Sequence, residues 1–348
     1  MSLIDRLDLT VPVIQAPMAG VSTPQMAAAV SDAGALGSIS VGATDADGAG
    51  RMIAETRALT NRPFNVNLFV HVAPRRDPAR EAAWLQALTP QFAALDAAAP
   101  ASLGVIYRSF ADDDAMLARL LADPPAVVSF HFGLPDDARI RALKAAGCLL
   151  LATATTLDEA LACKASGMDA VVAQGWEAGG HRGMFDPDAE DSRLGAMALT
   201  RLLVARAGLP VIAAGGIMDG QGVRAALNLG AVAAQMGTAF VACPESAADA
   251  GYRAALAGDA AHHTTMTRAI SGRPARCLAN RFTAWAATTT ACPPDYPVAY
   301  DAGKALNAAA KAVGEFGFGA QWAGQGAPLA RTLPAADLIA TLVAEMDA

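Results

Sequence analysis

The sequence is organised by eight short apolar runs, most of which are followed by a turn and then by a helical stretch. The runs cover residues 11–16, 36–41, 64–70, 126–130, 148–152, 170–173, 210–214 and 231–236. None of them alternates apolar with polar side chains, which predicts strands that are buried on both faces and therefore parallel. Eight successive strand–helix units favour an α/β fold of the (β/α)8 barrel type over an open doubly wound sheet, which remains the alternative.

Helical patterns between the runs supply the crossovers. Residues 157–166, 194–207 and 223–229 are the clearest, and Thr23 followed by Pro24 is typical of an N-cap with proline at the first helical position. An alanine-rich segment at 78–98 predicts an extra helix, and 103–107 a short extra strand. We expect residues 1–246 and 312–348 to form the barrel, with a terminal helix at 338–346. Residues 247–311 are expected to form a helical lid or second lobe, inserted after strand eight.

Composition limits the range of functions. The chain is 53% hydrophobic with a net charge of −7, which argues against nucleic acid as a partner because phosphate binding needs a basic face. No apolar run reaches eighteen residues, and the first residues carry acids where a signal peptide would be basic. We therefore expect a soluble, cytoplasmic protein without a membrane partner. The cysteines form no C-x-x-C pair, which argues against a zinc site or a disulfide framework. They are Cys148, Cys163, Cys243, Cys277 and Cys292.

The most informative stretch for chemistry is 170–183, where an apolar run ends in a glycine-rich turn that presents Gln174 and His181. Glycines allow a planar ligand to approach the backbone, and an imidazole placed there can act as acid, base or donor. We take His181 as the catalytic candidate. His131 also follows a strand, and is either a wall residue or a ligand contact. The adjacent His262 and His263 lack further metal ligands, so no metal site is predicted.

The turns after strands seven and eight predict a phosphate site. Gly215 and Gly216 follow the seventh strand, and Gly237 and Thr238 follow the eighth. Phosphate often binds at this position in (β/α)8 enzymes, held by backbone N–H groups at the turns. The alternative is that these glycines only permit tight turns.

Polar groups at other strand ends suit a flavin attached to that phosphate. Asn67 and Gln174 can pair with the donor–acceptor edge of an isoalloxazine or with ribityl hydroxyls, and residues 16–18 offer backbone and apolar contact. The first strand is not followed by G-x-G-x-x-G, so a Rossmann dinucleotide site is not expected.

Five motifs in order along the chain resemble those of the nitronate monooxygenases, formerly called 2-nitropropane dioxygenases, which are FMN-dependent (β/α)8 enzymes. The motifs are Val13-Ile-Gln-Ala-Pro-Met-Ala-Gly20, Asn65-Val-Asn-Leu-Phe69, Ser129-Phe-His-Phe-Gly133, Gln174-Gly-Trp-Glu-Ala-Gly-Gly-His181 and Gln235-Met-Gly-Thr238. The resemblance runs over nearly the whole chain. The segment 317–326 is similar to the bacterial class I branch in particular.

The resemblance implies roles for individual residues. It makes His181 the active-site histidine and places a substrate pocket near His131 and a group of aromatic and cationic side chains. These are Tyr107, Tyr252, Tyr296, Tyr300 and Lys304. Together with the strand-end argument it gives a set of FMN-binding positions. That set is Ala16, Pro17, Met18, Asn67, Gln174, Gly179, Gly180, Gly215, Gly216, Gln235, Met236, Gly237 and Thr238.

The implied reaction is oxidation of an alkyl nitronate, such as propionate 3-nitronate, by FMN and O2 to a carbonyl compound and nitrite, with detoxification as its role. His181 would donate a hydrogen bond to the nitro oxygens, or act as a base toward a neutral nitroalkane. Lys304 or a tyrosine hydroxyl would offset the anionic charge. Two alternatives stay open, an FMN-dependent NAD(P)H:quinone reductase on the same barrel and a non-catalytic flavin- or phosphate-binding protein. The expected state is a monomer or homodimer.

Overall fold

The computed structural model describes residues 2–348, and all eight apolar runs form strands within it. The strands of that range are β1 (Val13–Gln15), β2 (Gly37–Ser40), β3 (Phe64–Phe69), β4 (Val127–His131), β5 (Leu149–Ala154), β6 (Ala170–Gln174), β7 (Gly180–His181), β8 (Val211–Ala214), β9 (Ala233–Met236), β10 (Thr264–Thr267) and β11 (Ala275–Leu278). Eight of them form one parallel sheet in the order β1-β9-β8-β6-β5-β4-β3-β2. A parallel bridge from Ile14 to Leu36 joins its two edges. The predicted (β/α)8 barrel is therefore confirmed.

The helices of the described range include the predicted crossovers between successive barrel strands, and others that precede β1 or follow β9. They are α1 (Leu3–Arg6), α2 (Pro24–Asp32), α3 (Ala46–Leu59), α4 (Pro78–Ala93), α5 (Asp114–Ala122), α6 (Asp137–Ala145), α7 (Leu157–Ala165), α8 (Ala196–Arg206), α9 (Gly220–Asn228), α10 (Thr238–Val241), α11 (Ala250–Ala257), α12 (Arg281–Ala286), α13 (Val298–Ala312) and α14 (Ala335–Asp347). Both α7 and α9 are followed by a glycine with positive φ, at Gly167 and Gly230, where a side chain would strain the backbone. None of the helices in the described part of the chain is long and apolar enough to cross a membrane.

The predicted N-cap of α2 is present. The Thr23 hydroxyl accepts a hydrogen bond from the Met26 backbone N–H at 3.0 Å and donates to the Glu245 carbonyl at 2.7 Å. We expect Thr23→Ala to lower the free energy of unfolding by about 1 kcal/mol, because one N–H of the first turn loses its partner. Urea titration would measure the difference. Thr288→Ala, at an exposed hydroxyl that bonds only within its own turn, is the control and should change little. Equal stability of Thr23→Ala and the wild type would contradict the prediction.

Two predictions in the 78–107 region are wrong. Residues 103–107 form no strand, because Leu103 and Tyr107 pack their side chains into apolar clusters while the backbone makes no ladder with a neighbour. The helix expected over 78–98 ends at Ala93. There the Ala97 N–H turns back to the Phe92 carbonyl and Asp96 takes a φ of +52°, which closes the helix.

The N-terminal end of the barrel is sealed by apolar side chains. Leu3 and Leu7 of the first helical turn pack with Ile14, Leu36 and Val127 in one buried cluster. Access to the barrel axis is therefore from the opposite end, where the carboxyl ends of the strands lie.

A second lobe covers that opposite end. It contains an antiparallel sheet in the order β10-β11-β7, which the sequence analysis missed because the expected lobe was helical. Its apolar cluster includes Phe282 and Leu306, and also Trp84 and Leu88 from α4. The limits 247–311 for this lobe remain a prediction, and the cluster shows that α4 shares its core.

Candidate active site

A cavity of about 540 Å³ lies between the strand ends and the lobe. Every residue that the sequence analysis assigned to cofactor, substrate or catalysis lines it. From residues 1–246 these are Ala16, Pro17, Met18, Asn67, Tyr107, His131, Gln174, Gly179, Gly180, His181, Gly215, Gly216, Gln235, Met236, Gly237 and Thr238, and from residues 247–311 Tyr252, Tyr296, Tyr300 and Lys304. The structure thus brings together residues that are up to 288 positions apart in sequence (16 to 304).

His181 stands on β7 and is held from both sides. Its Nε2 lies 2.8 Å from the Ser271 hydroxyl oxygen, and its backbone carbonyl accepts hydrogen bonds from Gln174 Nε2 at 2.9 Å and His131 Nε2 at 3.1 Å. Its Nδ1 makes no hydrogen bond within residues 2–348. Burial, followed by His131 and Arg273, lowers the pKa of His181 well below the ordinary 6.5. The imidazole is therefore neutral at pH 7 and keeps one nitrogen for a ligand.

His131 supports His181. Because its Nε2 lies against a carbonyl oxygen, that nitrogen carries the proton, and Nδ1 accepts from the Thr153 hydroxyl at 3.0 Å. Burial lowers the pKa of His131 to about 4. With both nitrogens used inside the protein, His131 gives the cavity a wall and fixes the position of the His181 backbone.

The amides of Gln174 and Asn67 are also partly committed. Gln174 donates to the His181 carbonyl and accepts from the Gly183 N–H at 2.7 Å. Asn67 donates to the Ser129 hydroxyl at 3.0 Å and accepts from the Ser40 hydroxyl at 3.3 Å. An amide has two hydrogens and two lone pairs, so Gln174 keeps an N–H and Asn67 a lone pair for a ligand.

The two glycine turns lie side by side because β8 pairs directly with β9. Gly215 and Gly216 have φ values of +126° and +70°, which turn the chain away from the barrel. In the described part of the chain, no hydrogen bond satisfies the backbone N–H groups of Gly216 and Gly237. The Thr238 hydroxyl accepts from the Gly324 N–H at 3.0 Å and keeps its own hydrogen. This rim of the cavity therefore carries several hydrogen-bond donors that are free to contact a ligand.

Tyrosines and a lysine form the outer wall. Lys304 Nζ donates to the Tyr107 hydroxyl at 2.5 Å, and the ring centroid of Tyr107 lies 5.9 Å from that of Tyr300. The Tyr296 hydroxyl is buried and has no partner among residues 2–348. Burial raises the pKa of Tyr107 to about 12, so its hydroxyl stays protonated. Tyr252 bonds instead to the Trp322 carbonyl, which fixes it as a wall residue.

Sequence reasoning missed three contributors near His181. Ser271 contacts its ring nitrogen, Trp322 packs with a ring centroid distance of 5.0 Å, and Arg273 lies 4.3 Å over the ring of Phe132, which itself packs on His181. Ser271 and Arg273 lie in the lobe, outside any strand-end pattern, so no sequence signal pointed to them. Trp322 lies in the 317–326 segment that carries the class I resemblance, but the sequence analysis gave it no role.

The model of the family described as "Nitronate monooxygenase" matches residues 1–345. The chain belongs to this family. Two curated relatives carry the same name. The one from Paraburkholderia phytofirmans is 61% identical over 99% of this chain and 94% of its own, and that from Pseudomonas aeruginosa is 57% identical over 98% and 97%. The chain is accordingly an oxidoreductase that oxidises nitronates.

Solved structures agree with this membership. A nitroalkane oxidase from Streptomyces ansochromogenes superposes with a TM-score of 0.90 at 42% identity, covering 99% of this chain and 98% of that one. FabK from Thermotoga maritima shares the fold with a TM-score of 0.74 at 29% identity, over 99% and 95%. Members of the nitronate monooxygenase family are flavin-dependent oxidoreductases.

Proposed function

We propose that the cavity binds FMN and oxidises alkyl nitronates of the propionate 3-nitronate type with O2 to a carbonyl compound and nitrite, in detoxification. The observation that carries the proposal is the position of His181. Its neutral ring, with Nδ1 free, lines the same cavity as the donor-rich rim at Gly216, Gly237 and Thr238. A phosphorylated planar ligand fixed at the rim would extend toward that imidazole.

The rim fits the phosphate of FMN in its chemistry. Unpaired backbone N–H groups and a hydroxyl offer donors to an anion without requiring a lysine. Residues 16–18 and Met236 supply an apolar wall, and the remaining polar atoms of Gln174 and Asn67 suit a heterocycle edge or ribityl hydroxyls. Held there, FMN would supply the redox chemistry, as the acceptor of electrons from the nitronate and their donor to O2.

The side chains around the substrate act by binding and orientation. A neutral His181 donates from Nδ1 to a nitro oxygen, or accepts a proton there from the α-carbon of a nitroalkane. The unpartnered Tyr296 hydroxyl and Lys304 supply further donors to the anionic nitro group. Trp322 and Phe132 exclude water from the imidazole and strengthen these interactions.

Removal of the Thr238 hydroxyl tests the phosphate assignment. We expect Thr238→Val to weaken FMN binding about tenfold, because a hydrogen bond to a charged oxygen is lost while the side-chain shape is kept. Titration of the apoprotein with FMN, followed by quenching of flavin fluorescence, gives the Kd. Thr56→Val removes a buried hydroxyl that donates to the Met52 carbonyl outside the cavity lining, and should leave the Kd unchanged. An unchanged Kd in Thr238→Val would place the phosphate elsewhere.

The function itself is tested by comparing electron donors. Oxygen uptake with a panel of nitronates should be rapid, while anaerobic stopped-flow mixing with NADH or NADPH should leave the bound flavin oxidised. Rapid bleaching by a reduced nicotinamide, with slow nitronate turnover, would favour the quinone reductase alternative. A colourless protein that cannot be reconstituted with FMN would favour the non-catalytic alternative.

A further inference from the structure

The ring of His181 has one hydrogen-bond partner in the described part of the chain, the hydroxyl of Ser271. The oxygen lies 2.8 Å from His181 Nε2, and Ser271 is fully buried. The same oxygen lies 3.3 Å from the Arg273 carbonyl and 3.4 Å from the Arg273 N–H. Ser271 therefore stands between the imidazole and a backbone peptide of the lobe.

A serine hydroxyl has a single hydrogen, which limits it to two arrangements here. In the first, the hydroxyl donates to His181 Nε2, and the ring proton resides on Nδ1 as a donor toward the cavity. In the second, Nε2 carries the proton and donates to Ser271, which donates in turn to the Arg273 carbonyl. Nδ1 then presents a lone pair to the cavity.

We propose that Ser271 is a positioning residue whose hydroxyl rotation selects the tautomer of His181, so that Nδ1 acts as a donor to nitronates and as a base to neutral nitroalkanes. The inference rests on the proposed contact between His181 and the substrate. Hydrogen bonding to a nitronate and proton removal from a nitroalkane, which the sequence analysis left as alternative roles of His181, then correspond to the two arrangements of the His181–Ser271 pair.

In the base arrangement the proton balance closes within three groups. The α-C–H bond of the nitroalkane breaks, its electron pair stays on the substrate as the nitronate, and the proton forms a bond to His181 Nδ1. The resulting imidazolium donates its Nε2–H to the Ser271 oxygen, and the Ser271 O–H continues to donate to the Arg273 carbonyl. No carboxylate among residues 2–348 hydrogen-bonds to the imidazole, so the stabilisation of the cation depends on the serine.

The other groups that face His181 do not stabilise an imidazolium. They are His131 from β4, Arg273 from the lobe, Tyr296 and Tyr300 from the outer wall, and the uncharged rings of Phe132 and Trp322. Arg273 is buried without a carboxylate partner in residues 2–348, and its positive charge opposes an imidazolium. A hydrogen-bond acceptor at Nε2 is the remaining source of support.

Kinetics with matched substrates test the proposal. In flavin-saturated Ser271→Ala, kcat/KM for a neutral nitroalkane should fall about tenfold, since the imidazolium loses its acceptor. For the corresponding preformed nitronate it should fall less than threefold, because a neutral donor tautomer needs no such support. Ser271→Thr, which keeps the hydroxyl, should restore the ratio. Ser31→Ala removes a hydroxyl that is equally buried and bonded to the Pro63 carbonyl, and should leave the ratio unchanged.

Nitrogen NMR of the holoenzyme with 15N-labelled histidine supplies a readout independent of turnover, with His181→Asn identifying the resonances. We expect wild-type shifts averaged between the two tautomers and a single tautomer in Ser271→Ala. Equal loss of both activities, or unchanged shifts in Ser271→Ala, would overturn the proposal. A different outcome is that the His181 shifts change in Ser271→Ala while His181→Asn retains both activities. Ser271 would then determine the tautomer of His181, but the contact between His181 and the substrate in the proposed function would be wrong.

Discussion

Replacement of His181 by asparagine is expected to lower kcat/KM for a neutral nitroalkane by about 10²- to 10⁴-fold, the usual loss on removing a general base. The amide can donate a hydrogen bond where Nδ1 stands but cannot take up a proton. For a preformed nitronate we therefore expect a smaller loss, of about tenfold. Steady-state oxygen uptake with both substrates, at equal FMN occupancy, measures the two values.

His262 provides the matched control, because it is an exposed histidine of the lobe away from the cavity lining. His262→Asn should retain wild-type kinetics with both substrates. Full kcat/KM for a nitronate in His181→Asn, with FMN content unchanged, would remove His181 from the mechanism.

The activity of the wild type at acid pH depends on the buried environment of His181. An imidazole in water has a pKa of about 6.5 and loses its function as a base below that pH. Burial lowers the pKa of His181, so its neutral form persists as the pH falls through 6.5. Activity with a nitroalkane should accordingly be retained at pH 6 when substrate ionisation is accounted for.

Gly179→Ala should have the largest effect on stability among the glycine turns of the cavity. A Cβ at Gly179 would lie 2.5 Å from the Gly324 nitrogen and 2.6 Å from the Ala323 carbonyl carbon. These are backbone atoms that cannot rotate away, so the 323–324 segment must shift. The Gly324 N–H, which donates to the Thr238 hydroxyl, would shift with it. We expect the free energy of unfolding to fall by about 3 kcal/mol.

Denaturant titration and FMN release together measure this effect, and Gly104→Ala is its control. A Cβ at Gly104 would meet only the Asp301 carboxylate, at 3.5 Å, and its backbone conformation suits alanine. Gly104→Ala should remain close to the wild type in both measurements. Wild-type stability and flavin content in Gly179→Ala would show that the two backbones do not need to approach so closely.

The barrel could be predicted from the sequence because each strand and helix is specified by a pattern of a few consecutive residues. Each apolar run is buried on both faces. Helix ends are marked by residues such as Thr23, whose hydroxyl caps α2, and Gly167, whose positive φ follows α7. The cavity lining on the barrel was predictable for a related reason, since carboxyl ends of parallel strands must share one edge. Gln174 and Gly237 reach the same cavity by that rule alone.

The contacts made by the lobe could not be predicted in the same way. Pairing of Ala275 with His181 joins positions that are 94 residues apart (181 to 275), and the two-residue β7 has no pattern of its own. Ser271 reaches the imidazole only because this pairing sets the register of the turn before it. Likewise the side chains at 103–107 are apolar enough for a strand, but the backbone there pairs with no neighbouring strand.

The sheet β10-β11-β7 places His181 at the junction of the two parts of the molecule. Its backbone pairs with Ala275 of the lobe, while its carbonyl accepts hydrogen bonds from Gln174 and His131 at the strand ends of the barrel. A displacement of the hairpin relative to the barrel would therefore break contacts that fix the imidazole, so the geometry of the catalytic candidate depends on how the lobe packs on the barrel.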